Sequence, residues 1–314
     1  MADMTFSGVT FSGGYSIELP PPPSQKAIFG YGSGYSGGYI PYSLTNLVSN
    51  TGVVATDTAG VGTVRWALAA AGYGTDKAIF GYGTNDILGL FYSMTNLVAN
   101  TGVVATDTTG VGTARSYLAA AGYGTDKAIF GYGGTAESPV SMTNLVSNTG
   151  VVGNDVTGVG TIRYDLAATT YGTDKAIFGY GYVSGSGNTN ITNKVSNTGV
   201  VATDTAGVGQ VRSGLAAVTY GSSGQAMFAY GSSGFINLVS NTGVVASNTT
   251  LVGTSRYGLA AAGYDFDKGI FGYGSAGIGT TSITNLVSNT GIVSTDTTGV
   301  GTARYTLAAA SYTS

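Results

Sequence analysis

Residues 77–126, KAIFGYGTNDILGLFYSMTNLVANTGVVATDTTGVGTARSYLAAAGYGTD, decide the fold, because the same text returns along almost the whole chain. Its opening element starts at Lys26, Lys77, Lys127, Lys175, Gln225 and Lys268, and its arginine recurs at Arg65, Arg115, Arg163, Arg212, Arg256 and Arg304. Both markers give six copies of a unit of about fifty residues. Self-similarity at such a period marks repeat architectures, in which each unit buries its apolar faces against its neighbours.

Four strand-like pieces punctuate the unit. Lys77 to Gly83 is short, apolar and aromatic, and Thr95 to Asn100 follows a variable stretch. Asn100-Thr101-Gly102 supplies a hairpin turn before Val103 to Thr108, and the last piece runs from Arg115 to Tyr123. Four short strands per unit, with units in series, predict the blades of a β-propeller. The expected fold is therefore all-β, a six-bladed propeller of four-stranded antiparallel blades over residues 26–314, behind a leader of residues 1–25.

LAAAGY, Leu118 to Tyr123, is the expected inner strand, since blades converge on their axis and leave room there for small side chains. Its alternate residues are apolar on both faces, as in a strand sandwiched between neighbours. Leu-Ala-Ala-Ala favours helix, but four residues are too few, and glycine and β-branched residues crowd every unit. The first unit has no inner strand before Lys26, while the chain ends on an extra one, Arg304 to Ser314. Pairing of that last strand with Lys26 to Gly32 would close the circle and leave no exposed inner edge.

Order and spacing in the repeat resemble kelch repeats: Arg115, then Ala119-Ala120-Ala121, Ile129-Phe130 and Gly131-Tyr132-Gly133. Tyr132 splits the glycine doublet, and the later tyrosine and tryptophan of a kelch blade are absent. The resemblance covers roughly residues 26–314 and implies propeller topology. Near-identical KAIFGYG and TNLVSNTGVVATDTTGVGTAR units behind Gly13-Gly14-Tyr15 and Pro20 to Pro23 also resemble virion-associated proteins of tailed bacteriophages. That resemblance implies a tail-fibre or adhesin-like module on the virion surface. Residues 1–25 would dock it onto other virion or assembly proteins, with the Pro-rich stretch as a stiff spacer.

Disagreements between near-identical units carry information. From opening marker to arginine the spacing is 39, 38, 36, 37, 31 and 36, whereas from arginine to the next marker it is 12 or 13. Length variation thus sits in the loop between the second and third strands, on the face that also carries the GVGTAR links. Variable loops on a rigid scaffold are where recognition usually resides. The candidate binding residues are the loop aromatics Tyr35, Tyr39, Tyr42, Phe91, Tyr92, Tyr182 and Phe235, which suit a sugar face or a protein surface. Unconstrained drift of the loops is the competing reading.

The repeated charges have a structural reading. Asp57, Asp107, Asp155, Asp204 and Asp296 stand eight residues before Arg65, Arg115, Arg163, Arg212 and Arg304, which suggests inter-blade pairs; the fifth unit has Asn248 before Arg256. Asp76-Lys77, Asp126-Lys127, Asp174-Lys175 and Asp267-Lys268 belong to tight turns on the other face.

Composition narrows the chemistry. The 314 residues include Gly 53, Cys 0 and His 0, carry only 9% charged residues and have a net charge of -3. Without histidine or cysteine there is no Ser-His-Asp triad, thiol nucleophile or usual zinc site, and the kelch-type copper oxidases are closed. Nucleic acid is not an expected partner, because its recognition needs clustered Lys and Arg. No apolar run approaches membrane-spanning length, so no membrane insertion is expected. Calcium is weakly indicated, and GVGTAR lies between strands rather than before a helix, against a phosphate loop. No cofactor, metal or catalytic residue is expected.

These observations point to a non-enzymatic virion module that presents variable loops to a host glycan or protein. The alternatives are a glycoside hydrolase drawing on Asp86, Glu137, Asp165 or Asp265, and a purely structural decoration protein.

Overall fold

The computed structural model describes residues 22–35, 38–277 and 279–314, so the leader assignment over residues 1–21 lies outside the described residues. They form an all-β structure of many small antiparallel sheets. Each principal sheet repeats the same three strands. An inner strand such as Ala119–Tyr123 pairs with a middle strand, Lys127–Gly131, which pairs with an outer strand, Thr143–Val146. The register is constant, with Phe80, Phe130 and Phe271 each standing opposite the asparagine of TN: Asn96, Asn144 and Asn285.

Chain ends share a sheet. The C-terminal strand Ala308–Thr313 pairs with Gln25–Gly30, from Gln25 opposite Thr313 to Gly30 opposite Ala308, and Gln25–Gly30 pairs onward with Thr45–Val48. Ser24 and Ser314 exchange backbone hydrogen bonds of 2.9 and 3.0 Å beyond the strands. Successive inner strands lie against one another in chain order, and the last, Ala308–Thr313, lies against the first, Ala69–Tyr73.

The middle strand is apolar on both faces because both are covered. Ala128, Ile129 and Phe130 are fully buried, and the clusters they join cross from sheet to sheet. Phe130 packs with Ala69, Ala71 and Tyr73 of the preceding sheet, while Ala119, Ala121 and Tyr123 pack with Leu166 and Phe178 of the following one. Each buried large side chain removed from water contributes about 1.5–3 kcal/mol, so the inter-sheet clusters carry much of the stability. The half-exposed Ala70, Ala120 and Ala168, with Gly72, Gly122 and Thr170, instead line a cavity of about 370 Å³ between the inner strands.

The fourth piece of the unit departs from expectation. Val103 to Thr108 makes only isolated bridges, Val104 to Val98 and Thr108 to Thr95. Between them the Ala105 amide still donates to Leu97 O at 2.8 Å, but its carbonyl accepts from Asn96 Nδ2 at 3.0 Å, so a side chain takes one place in the ladder. In the fifth sheet alone, among the described residues, a short fourth strand Thr249–Thr250 joins the outer strand Phe235–Val239.

Candidate functional site

The variable loops fold into short hairpins that return over the segment following each arginine. Ser33–Tyr35 pairs with Tyr39–Pro41, Thr84–Asn85 with Leu90–Phe91, Tyr182–Val183 with Gly187–Asn188, and Ser275–Ala276 with Gly279–Thr280. Each then bridges the residue just after an arginine: Ser33 with Tyr305, Thr84 with Trp66, Tyr182 with Tyr164, and Ser275 with Tyr257. Ser116 bridges Gly134 in the same way. In the fifth sheet the loop shrinks to the tight turn 231–234.

One residue further on, the backbone turns left-handed. Ala67, Tyr117, Asp165 and Thr306 have φ between 49 and 54°, and Gly214 and Gly258 have 64 and 61°. Their amides form a cycle: Ala67 donates to Thr306, Tyr117 to Ala67, Asp165 to Tyr117, Gly214 to Asp165, Gly258 to Gly214, and Thr306 to Gly258. With the leucines that follow each residue, these residues line a second cavity of about 70 Å³.

Aromatic rings spread outward from this cycle. Tyr39 stacks on Trp66 at 5.6 Å, and Tyr35 meets Tyr39 edge-on at 5.8 Å. Trp66 continues to Tyr117 at 5.7 Å and Tyr305 at 6.1 Å; Tyr117 reaches Tyr164, which packs on Tyr182 at 5.4 Å, and Tyr305 reaches Tyr257. Trp66 is 3% exposed, whereas Tyr35 and Tyr39 above it are 59% and 48% exposed. The result is one connected aromatic surface, spanning several sheets, at the end where loop length varies.

Of the aromatics singled out from sequence, Tyr35, Tyr39 and Tyr182 join this surface. Tyr42 is half-buried beside Gly34, and Tyr92 donates its amide to Gly83 and accepts from the Arg115 amide. Phe91 sits in its own hairpin opposite Thr84, and Phe235 begins the fifth outer strand. None of these four has a ring contact with the surface among the described residues. Trp66, Tyr117, Tyr164, Tyr257 and Tyr305 were missed. Their signal was variation in residue type rather than length: the two residues between the constant arginine and the constant leucine read Trp-Ala, Ser-Tyr, Tyr-Asp, Ser-Gly, Tyr-Gly and Tyr-Thr.

Below this surface the arginines hold the loops. Arg65 is fully buried and donates Nε to Tyr82 O at 2.8 Å, an Nη to Thr63 O at 3.1 Å and the other to Asn96 Oδ1 at 2.6 Å. Its aspartate is Asp107, 3.8 Å away, not Asp57 eight residues upstream; Arg115 likewise lies 3.9 Å from Asp155, and Arg304 3.8 Å from Asp57. Asp204 and Asp296 accept from Thr161 and Thr254, on the links leading to Arg163 and Arg256. The spacing of eight misleads because each aspartate ends the sheet that the preceding arginine begins, so the pair spans one sheet. Contact between sheets comes instead from the guanidinium, which sits 4.1–4.4 Å over a tyrosine ring of the preceding sheet: Arg65 over Tyr31, Arg115 over Tyr82, Arg163 over Tyr132, Arg212 over Tyr180, Arg256 over Tyr230 and Arg304 over Tyr273.

The aspartate itself is held by hydrogen bonds. Asp107 accepts from the Thr63 amide at 3.0 Å, the Thr63 hydroxyl at 2.7 Å and Asn96 Nδ2 at 2.9 Å. Gly62, at φ 77°, is required there, since any Cβ would collide with Asp107 Oδ1. Burial raises the Asp107 carboxyl pKa, but the hydrogen bonds from Thr63 and Asn96 and the charge of Arg65 outweigh it, leaving it below the ordinary value. Burial pushes the phenols of Tyr82, Tyr230 and Tyr273 up to about 12.

Two groups on the aromatic face are buried without a partner among the described residues, Trp66 Nε1 and Asn85 Oδ1. Of the carboxylates considered for hydrolysis, Asp165 lies in the backbone cycle, and Asp265 pairs with Lys268 at the opposite end. Glu137 is exposed in the loop at Thr135–Ser138, and the side chain of Asp86 lies outside the described residues. No protein-family model matches the chain, and no curated protein matches it.

Proposed function

We propose that the six principal sheets form a closed six-bladed propeller, kelch-like in topology, that serves as a non-enzymatic recognition module. Support for closure comes from the shared sheet of the chain ends, the inner strands' return from Ala308–Thr313 to Ala69–Tyr73, and the cycle of amide bonds from Ala67 round to Thr306. A closed arrangement also explains why Gln25–Gly30, which no inner strand precedes among the described residues, takes one from Ala308–Thr313 and is not left as a sheet edge.

The observation that carries the recognition reading is the connected aromatic surface from Tyr35 through Tyr39 and Trp66 to Tyr164 and Tyr182. Rigid tyrosine and tryptophan rings offer contact area at small entropic cost, and their flat faces match the apolar faces of sugar rings. The ligand in this reading is a host-surface glycan, with a protein epitope as the second possibility for the same surface. The repeat and leader text, which resemble virion-associated phage proteins, support a place on a tail or particle surface, with the leader as the attachment segment up to Ser24 and Gln25, which are themselves held in the sheet.

The test is binding of the purified chain to an array of neutral host-envelope oligosaccharides, with sugar release monitored alongside. Adsorption without release is expected. Replacing the exposed Tyr35 and Tyr39 with serine should weaken binding about tenfold or more, because truncation of a central aromatic contact costs about 2 kcal/mol. Undiminished binding by that variant, or release of sugar, would contradict the reading.

A further inference from the structure

The centre of the aromatic face carries a carboxylate with no countercharge. Asp165 belongs to the backbone cycle and lines the cavity of about 70 Å³ together with Tyr117, Leu118, Leu166, Leu215 and Leu259. Its carboxyl has no ion pair or side-chain hydrogen bond among the described residues, and burial is the one influence acting on it. The neighbouring Tyr164 ring is close enough for Asp165 to raise its phenol pKa, after the larger effect of burial.

Cations are kept away from this end. The arginines are buried and committed to carbonyls and asparagines, as Arg163 is to Tyr180, Thr161 and Asn193. Lys77, Lys127 and Lys175 head the middle strands at the opposite end, paired with Asp76, Asp126 and Asp174, and Lys268 pairs with Asp265. Lys194 is turned towards Thr242 O. A metal ion would need several oxygen ligands, and no group of three acidic residues suited to one occurs among the described residues.

We infer that this axial cavity receives an alkylammonium group of the ligand, with Asp165 as its countercharge, Tyr117 as its cation–π neighbour, and the leucines as a dry floor. The volume holds about two waters' worth of matter, which suits an ammonium or a small methylated ammonium. The inference rests on the recognition reading of the aromatic face and narrows it to amino sugars or lysine-bearing surfaces. Burial lifts the Asp165 carboxyl to about 7, and the titratable groups around it are the Tyr117 and Tyr164 phenols, with no lysine or arginine facing it among the described residues. An ammonium needs the ionised carboxylate, so affinity should rise with pH until the carboxylate is fully charged.

Trp66 is the one tryptophan in the chain and packs on Tyr117, so its fluorescence reads occupancy directly. The full chain is titrated at pH 5.5 and pH 8 with a glucosamine oligomer, its N-acetylated counterpart, a lysine-rich peptide and choline. Choline and the lysine-rich peptide, which stay cationic over this range, should bind at least about tenfold more tightly at pH 8, whereas the glucosamine amine sheds its own proton towards pH 8, so its affinity should peak between the two. Asp165→Asn should lose that binding and its pH dependence; asparagine tolerates the positive φ, and a melting temperature no lower than wild type at pH 5.5 verifies the fold. A preference for the glucosamine oligomer or for the peptide identifies the source of the ammonium. Equal binding by wild type and Asp165→Asn, equal binding of the N-acetylated oligomer, or no response to any ammonium probe overturns the inference. A Trp66 response to neutral oligosaccharides in the same titration would leave the recognition reading standing while this inference fell.

Discussion

Asn248 stands where the other sheets carry the aspartate that faces the arginine, and the consequence is local. Arg212 Nε and Asn237 Oδ1 are left buried without hydrogen-bond partners among the described residues, and Arg212 turns an Nη to Phe228 O at 3.3 Å instead of to Asn237. Asn248→Asp should let Arg212 adopt the arrangement of Arg65 and raise stability by about 1 kcal/mol, measured by urea unfolding. The reverse change, Asp107→Asn, should cost about 1–2 kcal/mol, because Arg65 loses its countercharge while staying buried. pH dependence follows from the same carboxylates. Asp57, Asp107, Asp155, Asp204 and Asp296 are destabilised as anions by burial but more than compensated by hydrogen bonds and arginine, so their pKa values fall on folding. Their contribution is complete above the unfolded value near 4 and disappears as pH drops through the lower folded value, so stability should fall steeply in acid. Asp165 runs the other way. Its pKa rises to about 7 on folding, so its favourable contribution exists below about pH 4 and is gone above 7. Asp165→Asn should therefore melt higher than wild type at pH 8, by about 1–2 kcal/mol given the partial solvent contact of the carboxylate.

At the scale of elements, the inner and middle strands were legible because both their faces are apolar or small and they recur with few changes from unit to unit. KAIFG has nowhere to go but between two neighbours, and Phe130 and Ala119 lie in such clusters. The fourth segment was not legible, since nothing in Val103 to Thr108 announces that Asn96 will take the Ala105 carbonyl from the ladder. The partner of each arginine was hidden for a related reason: separation along the chain does not reveal that Asp107 returns to the sheet Arg65 begins. Most of the aromatic surface escaped because residues such as Trp66 and Tyr305 sit between the constant arginine and the constant leucine, where only a comparison of adjacent letters exposes them. Two element-level outcomes follow. Removing Leu307 to Ser314 strips the partner from Gln25–Gly30 and should lower the melting temperature by at least about 10 °C, since Ala308, Ala310 and Tyr312 leave a buried cluster. Replacing Ser33 to Pro41 with the tight turn found at 231–234 should leave the melting temperature nearly unchanged yet remove Tyr35 and Tyr39 from the surface, so binding alone should suffer.

At the scale of the whole molecule, the two ends differ in kind. One end carries the hairpins, the aromatic surface and Asp165; the other carries the lysine-aspartate turns and the exposed Val53 and Val103. Near-identity of the units builds the scaffold, and their departures from one another gather at a single end. The proposed module therefore has one working face, and the most direct measurement compares the two ends for host-glycan binding in one series. Tyr35→Ser with Tyr39→Ser alters the aromatic end, and Val53→Ser with Val103→Ser alters the opposite end, all at exposed positions that leave the core intact. Binding to the host glycan should fall about tenfold or more in the tyrosine variant and stay at the wild-type level in the valine variant. Loss of binding in the valine variant with full binding in the tyrosine variant would contradict the account.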